Sequence, residues 1–238
     1  MSSPTWTTRE VASSAANARL AVWRAVEAQH AASTTPLVDS IAERRLLDEL
    51  LDEGKPPLPR LAAHLEPLLA APFRYAPPPG GSRFRGPNDP GVFYAADEIR
   101  TACAELGYWR WRHLLEAPAL TAMPTKPQTI FEARIEVESI DLRRHPFVRD
   151  RKRWTDPLDY LPTQAFARTA RKARVGAIRY ESVRDPERGG CCAVLSPLAF
   201  VPPVPFDQQA WLLSVSRTRV VWQRTHTLGA EEFEFRFS

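Results

Sequence analysis

The sequence contains few cysteines, and their positions exclude two kinds of site. Three are present among 238 residues, at Cys103, Cys191 and Cys192. No C-x-x-C pair occurs, and adjacent cysteines rarely bridge, so the sequence supports neither a zinc knuckle nor a disulfide framework. We therefore expect a reducing, intracellular compartment and no metal site.

Long hydrophobic runs are also missing, as are the signatures of several enzyme classes. No apolar run approaches the roughly 18 residues that span a bilayer, and residues 1–11 lack the basic start and apolar core of a signal peptide. A cytoplasmic protein without membrane contact is expected. The patterns GxGxxG, GxxxxGK[ST], GxSxG and HExxH are absent. Rossmann dehydrogenases, P-loop enzymes, α/β-hydrolases and zincins are therefore unsupported.

Lysine is scarce, so arginine carries most of the positive charge. The chain holds 32 Lys+Arg against 28 Asp+Glu, with a formal net charge of +4 and a pI near 9.2. A mildly basic chain suits an anionic ligand, and the fixed fork of arginine donors suits phosphate. A GC-rich genome would favour arginine equally well, so composition alone does not choose between these explanations.

Helices are expected first along the chain and strands later. Residues 8–32 have helical apolar spacing without Gly or Pro, and residues 36–54 and 58–70 predict a second and a third helix. These patterns predict a helical N-terminal segment over residues 1–70, followed by a second domain over residues 71–238. Helices followed by strands are typical of an α+β fold.

The second region mixes strand and helix patterns. Residues 91–96 predict a buried strand, and residues 97–116 predict a helix with Asp97 as its N-cap. Residues 129–142 alternate apolar and charged side chains, as a half-exposed strand does, and a helix is expected after Pro162. Further strands are predicted at residues 175–183, 191–200, 211–225 and 231–238.

Three polar residues follow one another at equal steps of eleven positions (94 − 83 and 105 − 94). Arg83 stands in a glycine-bounded loop, Tyr94 in an apolar strand and Glu105 on a helix. The ring of Tyr94 should be buried, so its hydroxyl needs a partner. Glu105 by itself would be a solvated helix carboxylate, yet its small neighbours at positions 102–104 indicate tight packing. These residues predict an anionic ligand met by arginines, and nothing more specific.

Five short motifs, in this order, resemble the RES domain, a family of bacterial toxins named for an arginine, a glutamate and a serine. They are Phe73-Arg74-Tyr75, Ser82-Arg83-Phe84, the stretch at residues 90–96, the stretch at residues 101–105, and Tyr180-Glu181-Ser182-Val183-Arg184 before a glycine pair. Two positions depart from the family pattern: Ser82 stands where glycine is usual and Arg85 where asparagine is common. The resemblance covers about residues 70–225 and implies that residues 71–238 form the catalytic domain.

The resemblance implies a fold similar to ADP-ribosyltransferases, with a twisted β core and flanking helices, and an activity that destroys NAD. Family members cleave the nicotinamide–ribose bond and pass the ADP-ribosyl group to phosphate, water or a protein. They are toxins restrained by a helix-turn-helix antitoxin that covers the active site. NAD is then a substrate, inorganic phosphate a candidate co-substrate, and no cofactor or metal is implied. Nucleic acid would be reached only through the antitoxin, and a homodimer stays open.

The resemblance also implies six site residues. Those expected to be catalytic are Glu105, Arg74 and Ser182, and those expected to bind NAD are Tyr75, Arg83 and Tyr94. The carboxylate would stabilise an oxocarbenium-like ribose. The arginines would hold the pyrophosphate or an incoming phosphate. The tyrosines would stack on nicotinamide or ribose, and the serine would donate to a ribose or phosphate oxygen.

Two other functions stay open at this point. The first keeps the fold but makes a protein the acceptor, which is a mono-ADP-ribosyltransferase. The second is a non-enzymatic nucleic-acid- or partner-binding protein that uses residues 143–188, where 13 Arg/Lys face 6 acids for a net charge of +7. No DNA-binding motif accompanies this segment, so a solvated face or a landing surface for an acidic antitoxin segment is favoured.

Overall fold

One eight-stranded sheet carries the fold in the computed structural model, which describes residues 6–28, 40–225 and 231–237. The strand order is β1-β2-β5-β4-β3-β6-β7-β8, and β1 also pairs with β3. The strands are β1 (Ala16–Glu27), β2 (Phe93–Ala96), β3 (Ala122–Asp141), β4 (Ala177–Glu181), β5 (Gly190–Val194), β6 (Phe206–Ser216), β7 (Val220–Arg224) and β8 (Glu232–Phe235). With its flanking helices, this sheet confirms the α+β prediction.

Residues 16–27 form a strand, so the prediction of one helix over residues 8–32 is wrong. A short helix, α1 (Thr8–Ser13), precedes β1, which then pairs antiparallel with β3 along its whole length. Successive side chains of β1 pack on opposite sides: Val22 belongs to one buried cluster, and Trp23 packs against two others. Pairing across the sheet therefore overrides the helical preference of an alanine-rich segment. Residues 29–32 of that prediction lie outside the described residues.

The expected helical segment over residues 1–70 consequently contains a strand of the main sheet. Its second helix is confirmed as α2 (Ile41–Glu53), while residues 36–39 lie outside the described ranges. The third expected helix is divided. A 3-10 turn covers Arg60–Ala62, and α3 (Pro67–Arg74) begins only at Pro67, because the residue before a proline is kept out of the helical conformation.

Helix α4 (Ile99–Leu115) forms as expected, but Asp97 is not its N-cap. Glu98 holds that position and makes no side-chain capping hydrogen bond. Asp97 Oδ2 instead accepts hydrogen bonds from Arg143 Nη1 and Arg179 Nη2, each at 3.1 Å. Two nearby guanidinium groups thus take the carboxylate that the sequence pattern assigned to the helix end.

Small residues let α4 lie close to the sheet. Ala102, Cys103 and Ala104 are buried, and a Cβ added at Gly107 would stand 2.9 Å from Val220 Cγ1 and 3.2 Å from Trp222 Nε1. This close packing fixes the helix against β7 and holds Glu105, on the same helix, at a defined depth.

The remaining helices and strands follow the expected order, except that the single strand expected over residues 211–225 is divided between the antiparallel strands β6 and β7. Helices α5 (Arg151–Trp154) and α6 (Leu161–Lys172) lie between β3 and β4, and α6 is the helix expected after Pro162. The strand expected over residues 129–142 is longer, since β3 begins at Ala122. The strand expected over residues 191–200 ends at Val194, before a 3-10 turn. In the described part of the chain, no helix is long and apolar enough to cross a bilayer.

Candidate functional site

A cavity of about 360 Å³ brings together the three residues that the sequence spaces eleven positions apart. Arg83 from the loop, Tyr94 from β2 and Glu105 from α4 all line it. Strand β1 supplies a further wall through Trp23 and Arg24. The cavity therefore lies where α4, strands β1 and β2 and the glycine-bounded loop meet.

Glu105 is not the solvated helix carboxylate that its position alone would suggest. Its Oε1 atom accepts a hydrogen bond from Ser182 Oγ at 2.5 Å, and Cys191 Sγ lies 3.8 Å from the same oxygen. Burial raises the pKa of Glu105 above its ordinary value, and the hydrogen bond from Ser182 opposes that shift. The carboxyl group thus stands in a largely enclosed site with one oxygen held in place.

Ser182 is fully buried just beyond β4, and every capacity of its hydroxyl is used. The Oγ atom donates to Glu105 and accepts from the backbone N–H groups of Arg184, at 3.2 Å, and Asp185, at 2.9 Å. A hydroxyl has one proton to donate. That proton is directed at Glu105 and not into the cavity, which Ser182 does not line.

The loop after Ser182 is tied to α4 by a second set of contacts. Asp185 accepts hydrogen bonds from Thr101 Oγ1 at 2.8 Å and from Arg100 Nη1 at 2.5 Å. Both donors belong to the same helix as Glu105. The loop and the helix are therefore also joined one turn before Glu105, which restricts how far Ser182 and Glu105 can separate.

Arg83 is held rigidly but keeps one donor without a partner. Its Nη1 atom donates to the carbonyl oxygens of Trp154 and Asp156, both at 2.9 Å, and its guanidinium lies 4.8 Å from the ring centroid of Tyr160. Its Nη2 atom is buried and makes no hydrogen bond within the described residues. A buried charged donor without a partner is costly, so this atom is suited to an acceptor on a bound ligand.

The turn that presents Arg83 depends on Gly81 and Tyr94. Gly81 has φ +82, and a Cβ there would clash with the carbonyl oxygen of Arg85. The Tyr94 hydroxyl lies 2.8 Å from Ser82 Oγ and accepts from the Phe84 N–H at 2.9 Å. Burial raises the pKa of Tyr94 to about 12. The partner that the buried hydroxyl required is therefore this loop, and the ring lines the cavity.

Comparison with known proteins decides the family. A family model described as the RES domain matches residues 57–216, more than half of the chain. The chain belongs to the RES domain family. No curated protein matches.

One solved structure shows the same fold. It is described as the crystal structure of the M. tuberculosis MbcT-MbcA toxin-antitoxin complex. The similarity has a TM-score of 0.51 at 11% identity and covers 88% of this chain and 92% of that chain. At this identity the likeness concerns the fold alone.

Besides Ser182, two more of the six residues expected in this RES domain site, Arg74 and Tyr75, do not line the cavity. Arg74 is the last residue of α3, and Tyr75 is 43% exposed. The Tyr75 carbonyl accepts from Arg85 Nη1 at 2.8 Å, on the outer side of the loop. The structure does not bring either side chain to Glu105.

Sequence reasoning missed Arg24, an arginine of β1 that does line the cavity. Its Nη1 atom donates to the Tyr94 carbonyl at 2.6 Å, while its buried Nε has no partner among the described residues. Burial lowers the pKa of Arg24 to about 10, so it remains charged at neutral pH. The RES domain match begins at residue 57, after β1. The alternation of Ala18, Leu20 and Val22 with Asn17 and Arg19 was the signal that could have revealed the strand.

Aromatic rings and a third arginine complete the wall. Arg184 Nη2 donates to the Pro157 carbonyl at 2.6 Å and to the Tyr160 hydroxyl at 3.0 Å, and its guanidinium lies 4.1 Å from the ring centroid of Tyr108. Trp109 also lines the cavity and is 50% exposed. Arg184 is the last residue of the fifth motif, but the sequence alone assigns a role neither to it nor to Trp109.

Much of the charge in residues 143–188 is locally paired. Two pairs of its arginines share one carboxylate each: Arg143 and Arg179 on Asp97, and Arg151 and Arg188 on Glu181. Within the described ranges, no three His, Cys, Asp or Glu side chains are grouped so that they could hold a metal ion.

Proposed function

We propose that this RES domain chain is the toxin of a toxin–antitoxin pair and consumes NAD by cleaving its nicotinamide–ribose bond. Inorganic phosphate or water accepts the ADP-ribosyl group. One observation carries the proposal: a carboxylate held by Ser182 shares a cavity with Arg83 and Arg24, and each of these arginines has one buried guanidinium nitrogen without a partner among the described residues.

The chemistry requires one negative group beside the ribose. The bond between ribose C1′ and the nicotinamide nitrogen breaks, and its electron pair goes to the ring, which leaves as neutral nicotinamide. The ribose then carries oxocarbenium character, and the ionised Glu105 stabilises that charge. An oxygen of water or phosphate bonds to C1′; when water attacks, its proton passes to solvent. This reaction needs no metal or prosthetic group.

The arginines supply the complementary charge for the rest of the substrate. NAD carries two phosphate groups, and charged donors that lack a protein partner are suited to phosphate oxygens. Arg83 Nη2 and Arg24 Nε are two such donors. Both guanidinium groups are fixed by backbone carbonyls, so little side-chain freedom would be lost when the ligand binds.

An antitoxin partner is supported by the similar solved structure, a toxin-antitoxin complex, and by exposed apolar side chains on this chain. Leu158 and Leu161 are 84% and 72% exposed, and they flank the cavity residue Tyr160 in sequence. Exposed apolar groups beside a cavity suit burial by a partner protein. We propose a helix-turn-helix protein that covers the cavity and restrains the activity.

The proposal is tested by incubating the purified chain with NAD, with and without inorganic phosphate, and identifying the products. We expect nicotinamide to appear together with free ADP-ribose or its phosphorylated form. Glu105→Gln should lose this activity. Glu116→Gln, at the far end of the same helix and 70% exposed, should keep it. NAD that remains intact under every condition would overturn the proposal.

Two further readouts separate the alternatives. Labelled protein in place of soluble product would indicate a mono-ADP-ribosyltransferase, and salt-sensitive nucleic-acid binding without NAD loss would indicate a binding protein. In bacteria, expression of the chain should arrest growth and deplete NAD, and expression of Glu105→Gln should not. Co-expression of the helix-turn-helix protein from a neighbouring gene should restore growth.

A further inference from the structure

A second cavity, of about 420 Å³, shares no lining residue with the Glu105 cavity. It lies beside the segment at residues 89–91, between α6 and the end of β5. Its polar side chains are those of Arg85, Arg171 and Ser196. Its apolar walls are formed by Pro59, Leu61, Phe73, Val175, Leu195 and Pro197.

Three consecutive backbone carbonyls hold both arginines. Arg85 Nε donates to the Asp89 carbonyl at 3.1 Å, and Arg171 Nη2 donates to those of Pro90 and Gly91 at 3.2 and 3.0 Å. Arg171 Nη1 donates to the Leu195 carbonyl at 2.8 Å. The two guanidinium groups are therefore anchored side by side at the same cavity.

The acceptors of both arginines are backbone carbonyl oxygens, not carboxylates. Among the described residues, neither guanidinium hydrogen-bonds an acid; the Asp89 carboxylate instead accepts from Arg168 Nη1 at 3.0 Å and from the Gly86 N–H at 2.8 Å. Burial lowers the pKa of both Arg85 and Arg171, and the charge of the nearby Asp89 carboxylate opposes this shift in both; the charge of Arg85 lowers the pKa of Arg171 to a smaller extent. Like charges so placed favour an anion close to both.

We infer that this second cavity binds a small organic anion, a carboxylate or phosphate monoester that carries an apolar group. The anionic end would meet the guanidinium groups; within the described residues, Arg85 Nη2 and Arg171 Nε donate no other hydrogen bond and would be its donors. The apolar end would lie against Phe73, Val175 and Leu195. A pocket with apolar walls and a few converging polar groups is typical of small-ligand sites.

The inference is independent of NAD chemistry. Arg83 and Arg85 stand two positions apart in one turn, yet Arg83 lines the Glu105 cavity and Arg85 lines the second cavity. Variants at these neighbouring arginines therefore distinguish the two cavities, and binding can be measured without any enzymatic readout.

The test is calorimetric titration of the purified chain with hexanoate and with hexyl phosphate, with hexanol as the neutral control. We expect saturable binding of at least one anion and none of hexanol; the two arms show which head group is preferred. Arg85→Asn should weaken the binding about tenfold, the value of one hydrogen bond to a charged group. Lys172→Gln, which removes an exposed charge from the same helix as Arg171, should change it less than about twofold.

Several outcomes would overturn the inference: no saturable binding of either anion, equal binding of hexanol, or equal losses in Arg85→Asn and Lys172→Gln. Binding that survives in Arg85→Asn but is lost in Arg83→Ala would place the anion in the Glu105 cavity and equally reject it. Arg171→Gln should also weaken binding. If thermal melts show that Arg171→Gln is unfolded, the result for Arg85→Asn is the test of the inference.

Discussion

Ser182 Oγ donates a 2.5 Å hydrogen bond to Glu105 Oε1, across 77 positions of sequence. The serine is buried and the glutamate lines the cavity, so one positions the other without reaching the cavity itself. This pair connects the loop after β4 to α4, and its electrostatics provide the most direct tests of the proposed function.

Replacing Ser182 should change how the activity depends on pH. The serine hydrogen bond stabilises ionised Glu105, so Ser182→Ala should raise the pKa of Glu105 beyond its already raised value. If turnover needs the carboxylate, the acidic limb of the kcat/KM profile should move to higher pH, and turnover at neutral pH should fall about tenfold or more. Profiles of the parent and the variant measure both effects.

The control for this prediction is Ser214→Ala, which removes an exposed hydroxyl from β6. It should leave the pH profile unchanged. An unchanged acidic limb in a folded Ser182→Ala protein would show that the serine does not act through Glu105.

Glu105→Gln should stabilise the fold as the pH rises. Because burial raises the folded-state pKa of Glu105, the folded state binds more protons than the unfolded chain between the ordinary and the raised pKa. The parent therefore loses stability as the pH increases through this window, and the uncharged glutamine variant does not lose it. Urea denaturation should be measured at several pH values from acidic to neutral. The free energy of unfolding of the variant minus that of the parent should increase as the pH rises.

The same variant should lose catalysis while keeping NAD affinity. Electrostatic contacts to developing charge are typically worth ~3 kcal/mol, so turnover should fall at least about 100-fold. Glu116→Gln serves as the control for stability and for rate. A folded Glu105→Gln protein with nearly parental turnover would remove Glu105 from the site.

Arginine variants should show whether Arg24 or Arg74 contacts the phosphate groups of NAD. Arg24→Ala and Arg83→Ala should each raise KM about tenfold or more with a smaller change in kcat, because a phosphate contact exists in the ground and transition states alike. Arg74→Ala should leave KM within about threefold, since Arg74 does not line the cavity. Steady-state kinetics on the three variants decide. An Arg74→Ala effect as large as that of Arg24→Ala would contradict the placement.

Tyr94→Phe should destabilise the protein through the loop that presents Arg83. The variant leaves the Phe84 N–H without its acceptor, and an unpaired buried donor costs about 1–3 kcal/mol. Tyr75→Phe removes a hydroxyl from an exposed ring and should stay within about 0.5 kcal/mol of the parent. Chemical denaturation of both variants measures the difference. Equal stabilities would show that the hydroxyl does not hold the loop.

Local patterns were sufficient for much of the fold and for half of the site. Strand β2 and helices α4 and α6 follow from periodicity over adjacent residues, which is why they could be predicted. The motifs placed Arg83, Tyr94 and Glu105 in one site because their spacing fits a loop, a strand and a helix that follow one another directly. The structure brings all three to one cavity.

Strand β1 could not be predicted, because its stability comes from a partner distant in sequence. Trp23 pairs with Glu132 on β3, and no local pattern records such a partner. The alanine-rich segment has helical preference of its own, and sheet pairing overrode it. The same failure hid Arg24, while Arg74, which the family resemblance implied, does not line the cavity.

The sequence by itself determined the family, the α+β class and the identity of the buried glutamate. These depend on motif order and on short-range periodicity, both of which are local properties of a chain. Only the tertiary structure decided that Ser182 orients Glu105, that Arg24 lines the cavity and Arg74 does not, and that Arg85 lines a separate cavity. Those relationships depend on which strands pair and which side chains remain unpaired after packing, and these are properties of the whole fold.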